Sequence, residues 1–175
     1  MGDLEADLKV TIRDIADFPK PGILFKDITP VLSDASLMQR VVDHFSTRFQ
    51  GQSIAAVVGM ESRGFIFGAP LAMSLGCAFV PARKPGKLPY ANIGVDYALE
   101  YGTARLEMHE DAFEKGDKVL VIDDLLATGG TAAATNQLIR TLGGVVVANC
   151  FVVELGFLQG RDALGGVPVT SICNY

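Results

Sequence analysis

Three stretches of this chain are apolar almost end to end: "SIAAVVG", "KVLVIDD" and "VVVANCFVVEL". A strand without polar alternation has to be covered on both faces, which is the situation of a parallel sheet packed between helices. "CAFVPA" and "VPVTSIC" read as further strands. Helical patterns separate them. Leu37, Val41, Phe45 and Phe49 fall on one face of a helix starting near Ser33 or Asp34. Phe65 to Leu75 reads as an apolar helix with Gly76 as its C-cap, and Thr131 to Leu142 as a helix stopped by Gly143-Gly144. Strand and helix in alternation give an α/β fold with a mainly parallel central sheet and helices on both faces.

Other segments break the pattern. Leu4, Leu8, Ile12 and Ile15 have the spacing of one helical face, and Pro19 and Pro21 are expected to end that helix. The stretch to about Pro30 is expected to form a small hood over the sheet's carboxyl edge. Lys84 to Gly94, "KPGKLPYANIG", lacks periodicity and reads as a flexible loop. "VDYALEYG" and "TARLEMHE" alternate and read as a β-hairpin turning at Gly102. No internal repeat or second core is visible, so the 175 residues are expected to form a single domain.

Composition narrows the functional classes. A content of 49% hydrophobic residues excludes disorder as the default, and a net charge of −5 argues against non-specific nucleic-acid binding. The opening ten residues carry no apolar run with a basic flank, and no segment reaches the roughly 18 apolar residues of a membrane span. A soluble cytoplasmic protein is expected. Cys77, Cys150 and Cys173 each sit in apolar, strand-like segments and read as small buried hydrophobes rather than metal ligands or nucleophiles. His44 and His109 stand apart from any ligand cluster.

Chemistry concentrates in "VLVIDDLLATGGT", Val119 to Thr131. A strand ends in Asp123-Asp124, and Ala127, Thr128, Gly129, Gly130 and Thr131 then open a helix. Free N–H groups, the helix dipole and two hydroxyls make a phosphate cradle there. No lysine follows Gly130, and G-x-G-x-x-G is absent, so neither the Walker nor the dinucleotide site applies. A monophosphate fits this cradle, and the two carboxylates suit the hydroxyls of an attached sugar. They would also stabilise a sugar ring that becomes cationic during reaction. Adjacent residues of a regular strand point to opposite faces, so both acids reach one ligand only if the strand has ended.

This stretch resembles the phosphoribosyl-pyrophosphate (PRPP) motif of the type I phosphoribosyltransferases. "DFPKPGILFKDITPVL", "ESRGFIFGAPLA", "RKPGKLP" and "LEYG" are similar to the adenine-specific branch of that family, and the likeness runs from about Asp17 to Leu155. The resemblance implies the type I phosphoribosyltransferase fold, with a hairpin, a flexible lid and a hood. It also implies transfer of ribose 5-phosphate from PRPP to adenine, with Mg2+ accompanying PRPP.

By the same resemblance, Asp123 and Asp124 would hold the ribose, and residues 127–131 the 5-phosphate. Glu61, Ser62 and Arg63 would form the pyrophosphate turn, with a cis peptide between Glu61 and Ser62. Arg83, Lys84 and Lys87, the one dense basic cluster of an acidic chain, would neutralise pyrophosphate from a lid that also meets the partner subunit of a homodimer. Glu100 would exchange a proton with the adenine ring or merely orient it, beside Tyr101. Phe25 and Leu155 would sandwich the purine, with backbone near Leu24 and the Lys26 N–H reading its edge. The family often carries Arg where this chain has Lys26, and lysine does not reproduce a guanidinium fork. A base other than adenine (a 6-oxopurine or orotate) and a PRPP-sensing regulator without catalysis remain the alternatives.

Overall fold

The computed structural model describes residues 3–98 and 103–175. Helix α1 (Leu4–Thr11) starts at Asp3, whose carboxylate accepts the Glu5 N–H. Its cap, Ile12, is already extended, and the chain continues as β1 (Arg13–Ala16), antiparallel to β2 (Leu24–Asp27). The expected helix through Ile15 is therefore wrong. Leu8 and Ile12 complete the buried stripe, whereas Ile15 is 37% exposed and pairs with Phe25 across the ladder. Its helical spacing was coincidental: the chain turns extended at Ile12, and pairing with β2 takes up the residues that follow. Pro19 and Pro21 belong to the connection between the two strands. This ribbon, with α1 and the short α2 (Thr29–Leu32), makes up the hood segment.

Helix α3 (Ala35–Phe49) begins where expected, with Asp34 accepting the Leu37 N–H at 3.0 Å, and Leu37, Val41, Phe45 and Phe49 are buried. The alternating segment follows: β3 (Ala56–Met60), α4 (Arg63–Leu75), β4 (Ala78–Ala82), β5 (Asn92–Ala98), β6 (Thr103–His109), β7 (Lys118–Leu126), α5 (Gly130–Thr141), β8 (Val145–Glu154) and β9 (Val169–Asn174). Gly76 closes α4 in the left-handed conformation at φ 67°. One expected boundary moves. The Pro/Gly loop ends at Ala91 rather than Gly94, because Asn92 to Gly94 pair with His109 to Glu107. Gly94 is a strand glycine, not a breaker: a Cβ there would lie 2.5 Å from the Arg105 guanidinium that crosses it. The predicted turn at Gly102 lies outside the described residues.

Five strands form the main sheet in the order β4-β3-β7-β8-β9, every pair parallel. Val57, Val58 and Val119 to Ile122 are wholly buried, as expected for strands covered on both sides. Phe45, Phe67 and Leu71 pack one face, while Leu138, Ile139, Leu106 and Met108 pack the other. Each fully buried side chain of this size contributes about 1.5–3 kcal/mol relative to exposure. Cys150 and Cys173 are buried free thiols within the first cluster.

From β3 the chain moves outward to β4 and later returns on the opposite side of β3 as β7. The crevice above β3 and β7 is thus the topological switch point, where open α/β sheets bind ligands.

Candidate active site

β3 pairs with β7 only as far as Gly59 opposite Ile122. β7 does not end at Asp123-Asp124, contrary to expectation. It stays paired with β8 through Leu126 opposite Glu154. Beyond Ile122, however, the edge of β7 toward β3 is unpaired. Both carboxylates reach this gap although the strand continues: Asp123 and Asp124 line one cavity of about 320 Å³ with Glu61, Ser62, Arg63 and Lys84. Asp123 also lines a second cavity, with Ala127, Thr128, Gly129, Gly130 and Thr131. That aspartate therefore stands between the Gly129-Gly130 loop and the basic segment.

The loop is held by close backbone contact. Gly129 has φ 84°, and a Cβ there would come within 2.2 Å of the Gly160 carbonyl oxygen. Only glycine fits, and the first N–H groups of α5 are left facing the cavity end. Gly160 was not foreseen as part of the site. It lies in "LQGRDALGG", one glycine among several, with no local pattern to mark it.

Arg63 is the first residue of α4, and its Nε lies 2.6 Å from Asp124 Oδ2. The pair forms because Gly64 lets the first turn of α4 lie on β7: a Cβ at Gly64 would sit 2.6 Å from the Ile122 carbonyl oxygen. Asp123 Oδ1 accepts the Asp124 N–H at 2.9 Å. Burial raises the Asp123 pKa well above the ordinary carboxylate range, and the neighbouring Asp124 charge pushes the same way. Burial also raises Asp124, with Arg63 opposing it.

Glu61 follows β3, and the Glu61–Ser62 peptide is cis. Its carboxylate is only 7% exposed and faces the basic segment. Lys87 Nζ lies 2.6 Å away, the Lys84 N–H donates at 3.0 Å and Arg83 Nε at 3.3 Å. Burial works to raise its pKa, but these three donors outweigh that and hold it at about 2. Gly86 donates its N–H to Glu107 at 3.0 Å, and Arg83 also donates to the Lys87 carbonyl at 3.1 Å. Glu107 was missed from sequence because its position in the alternating "TARLEMHE" marks only a strand face.

The hood reaches the site through Phe25. Its ring meets Phe18 edge-on at 5.0 Å, and the Arg63 guanidinium lies 5.7 Å from its centroid. Phe25 is half-buried and outside both core clusters, so it is not a plain core residue. Leu24 is 52% exposed. The Lys26 side chain is held 2.6 Å from Asp14 and over the Tyr175 ring at 3.9 Å, so an arginine in its place would alter that contact. Leu155 follows β8, with its N–H on the Leu126 carbonyl. Tyr97 was also not foreseen; its hydroxyl accepts from Thr131 at 3.4 Å, which seats the β5–β6 hairpin on the phosphate loop. Glu100 and Tyr101 lie outside the described residues.

No group of three or more His, Cys, Asp or Glu among the described residues could hold a metal. A larger cavity of about 390 Å³ lies between the carboxyl ends of α3 and α4, lined by Ser46, Phe49, Gln50, Ser74 and Leu75 among others, with no ionisable group in its wall.

Comparison with known proteins agrees with this geometry. The phosphoribosyl transferase domain family matches residues 34–159. The adenine phosphoribosyltransferase of Myxococcus xanthus is 55% identical over 172 residues, covering 98% of this chain and 94% of that protein. The crystal structure of the enzyme of that name from Thermoanaerobacter pseudethanolicus has a TM-score of 0.94 at 48% identity, covering 97% of this chain and 99% of that one. The Saccharomyces cerevisiae enzyme, complexed with adenine and an imino-altritol bisphosphate, has a TM-score of 0.93 at 38% identity, covering 98% and 99%. The fold of this chain, with its parallel sheet, has its counterpart in these structures, and the chain belongs to the phosphoribosyltransferase family, alongside the adenine phosphoribosyltransferases.

Proposed function

We propose that this chain transfers the 5-phosphoribosyl group of PRPP to adenine, forming AMP and releasing pyrophosphate. One observation carries the assignment of parts: Asp123 lines both the phosphate-loop cavity and the cavity beneath the basic segment. A ribose placed there has its 5-phosphate on one side and its diphosphate on the other. Residues 127–131 take the 5-phosphate through backbone N–H groups and the dipole of α5. Asp123 and Asp124 accept from the ring hydroxyls. Arg63, Arg83, Lys84 and Lys87 receive the diphosphate.

The bond from the anomeric carbon to pyrophosphate oxygen breaks with cationic character on the ribose, which the two buried carboxylates stabilise. A ring nitrogen of adenine attacks the opposite face, and the C–N bond forms with inversion. Phe25 stacks on the base, with Leu155 on its other side. Backbone at Leu24 and Lys26 reads the purine edge. The proton released from adenine is assigned to Glu100, beside Tyr101, by resemblance.

Magnesium belongs to this reading as a companion of PRPP. The site offers two hard carboxylates and no protein cage, so the cation would be held mainly by diphosphate oxygens near Asp123 and Asp124, where it would neutralise charge on the leaving group. The segment Lys84 to Ala91 serves as a lid that excludes water. A homodimer is also proposed, supported by exposed Ile66 and Met73 on α4. No helix among the described residues is long and apolar enough to cross a membrane, and we place the enzyme in the cytoplasm, salvaging free adenine.

The test is AMP formation from adenine and PRPP, with hypoxanthine, guanine and orotate as controls. Turnover with adenine alone supports the reading, and turnover only with another base, or with none, overturns it.

A further inference from the structure

We propose that Glu61 is an internal competitor for pyrophosphate: its carboxylate occupies the lid's cations in the free enzyme, and the diphosphate binds by taking them over. The inference rests on the pyrophosphate assignment made above.

A buried carboxylate is out of place in the wall of an anion site. Like charge so close to a diphosphate weakens binding unless the carboxylate has work of its own. Glu61 carries three donors, all from a five-residue segment that begins just after β4: Lys87 Nζ at 2.6 Å, the Lys84 N–H at 3.0 Å and Arg83 Nε at 3.3 Å. A carboxylate and a phosphoryl group present charged oxygens to such donors in the same forked manner. The Glu61 carboxylate therefore stands where a terminal phosphoryl group would be received.

The donors are also built to change partners. The Lys87 side chain is 47% exposed on a flexible stem, so its ammonium can swing to a bound anion without moving the backbone. Lys84 already lines the cavity with Arg63, Asp123 and Asp124, and it is its backbone N–H that donates to Glu61. Gly86 is tied to Glu107 instead, which anchors the segment while the cations move. The exchange lets the lid keep its charges ordered without substrate. It also keeps pyrophosphate from binding so tightly that its release stalls turnover.

The test is the dissociation constant of pyrophosphate, measured by calorimetry on the full chain, with unfolding followed in parallel. Glu61→Gln keeps the size and removes the competing charge. It should tighten pyrophosphate by roughly three- to tenfold, as expected for one half-exposed charged pair, and lower kcat while raising kcat/KM for PRPP. Glu61→Asp keeps the charge but shortens its reach, and should give an intermediate tightening even if the glutamine variant does not fold. Weaker or unchanged pyrophosphate binding in either folded variant overturns the proposal, because a positioning role alone would weaken the site. Lys84→Met and Lys87→Met separate the two readings. If they weaken pyrophosphate binding while Glu61→Gln does not tighten it, the competition alone is wrong. If they leave it unchanged, the pyrophosphate assignment fails and the competition with it.

Discussion

Asp123 pits stability against function within one side chain. Its folded-state pKa is raised by burial and by Asp124. For an acid shifted in this direction, the unfolded chain releases its proton first. Stability therefore falls as pH rises from the ordinary value of about 3.9 to the raised one, and stays lowered above it. Asp123→Asn removes that cost. It should raise the melting temperature at pH 7 while lowering kcat by roughly a hundredfold, the scale of a lost electrostatic contact to the transition state. A variant that melts lower than the parent at pH 7 would contradict this account. Gly64 works the other way, since its value lies in having no side chain. Gly64→Ala would press on the Ile122 carbonyl and lift Arg63 from Asp124, costing about 1–3 kcal/mol by denaturant titration together with most of the turnover.

Among the elements, those buried on both faces could be read from the sequence and those at the periphery could not. β3, β7 and β8 announce themselves by unbroken apolar runs, and α3 by four apolar positions behind an aspartate cap. β1 has every residue exposed, so no pattern marked it, and its strand state comes from pairing with β2. The end of β7 was misjudged because pairing with β8 carries the strand through two acidic residues that local propensity disfavours. In the candidate site, the glycine-rich loop and the acids could be picked out because they are contiguous, and the structure sets them along two cavities that share Asp123. The engagement of Glu61 by residues 22 to 26 positions downstream was not, since nothing in "ESRG" points to "RKPGK". The hood ribbon gives a prediction of its own. Phe25→Ala should raise KM for adenine by roughly tenfold, the scale of one lost stacking contact, and leave KM for PRPP and the melting temperature nearly unchanged.

At the scale of the whole molecule, the switch point gathers the ends of β3, β4, β7 and β8 above one crevice, and the sheet beneath is sealed by two apolar layers. The magnesium proposed to accompany PRPP would be external to this framework. Chelation by EDTA should abolish AMP formation, added magnesium should restore it, and the melting temperature of the free protein should not move, because the described residues hold no cluster that could cage the cation. A drop in melting temperature on chelation would reveal a structural site instead. The ribbon of the hood is a two-stranded sheet of its own and forms no part of the five-stranded sheet. On the proposed reading, Phe25 of this ribbon supplies one wall of the base site from outside the sheet that carries the residues assigned to PRPP. Changes confined to residues 13–27 would then retune that wall while the residues proposed to break the carbon–oxygen bond are inherited untouched, a division of labour that would let one scaffold diversify without relearning its chemistry.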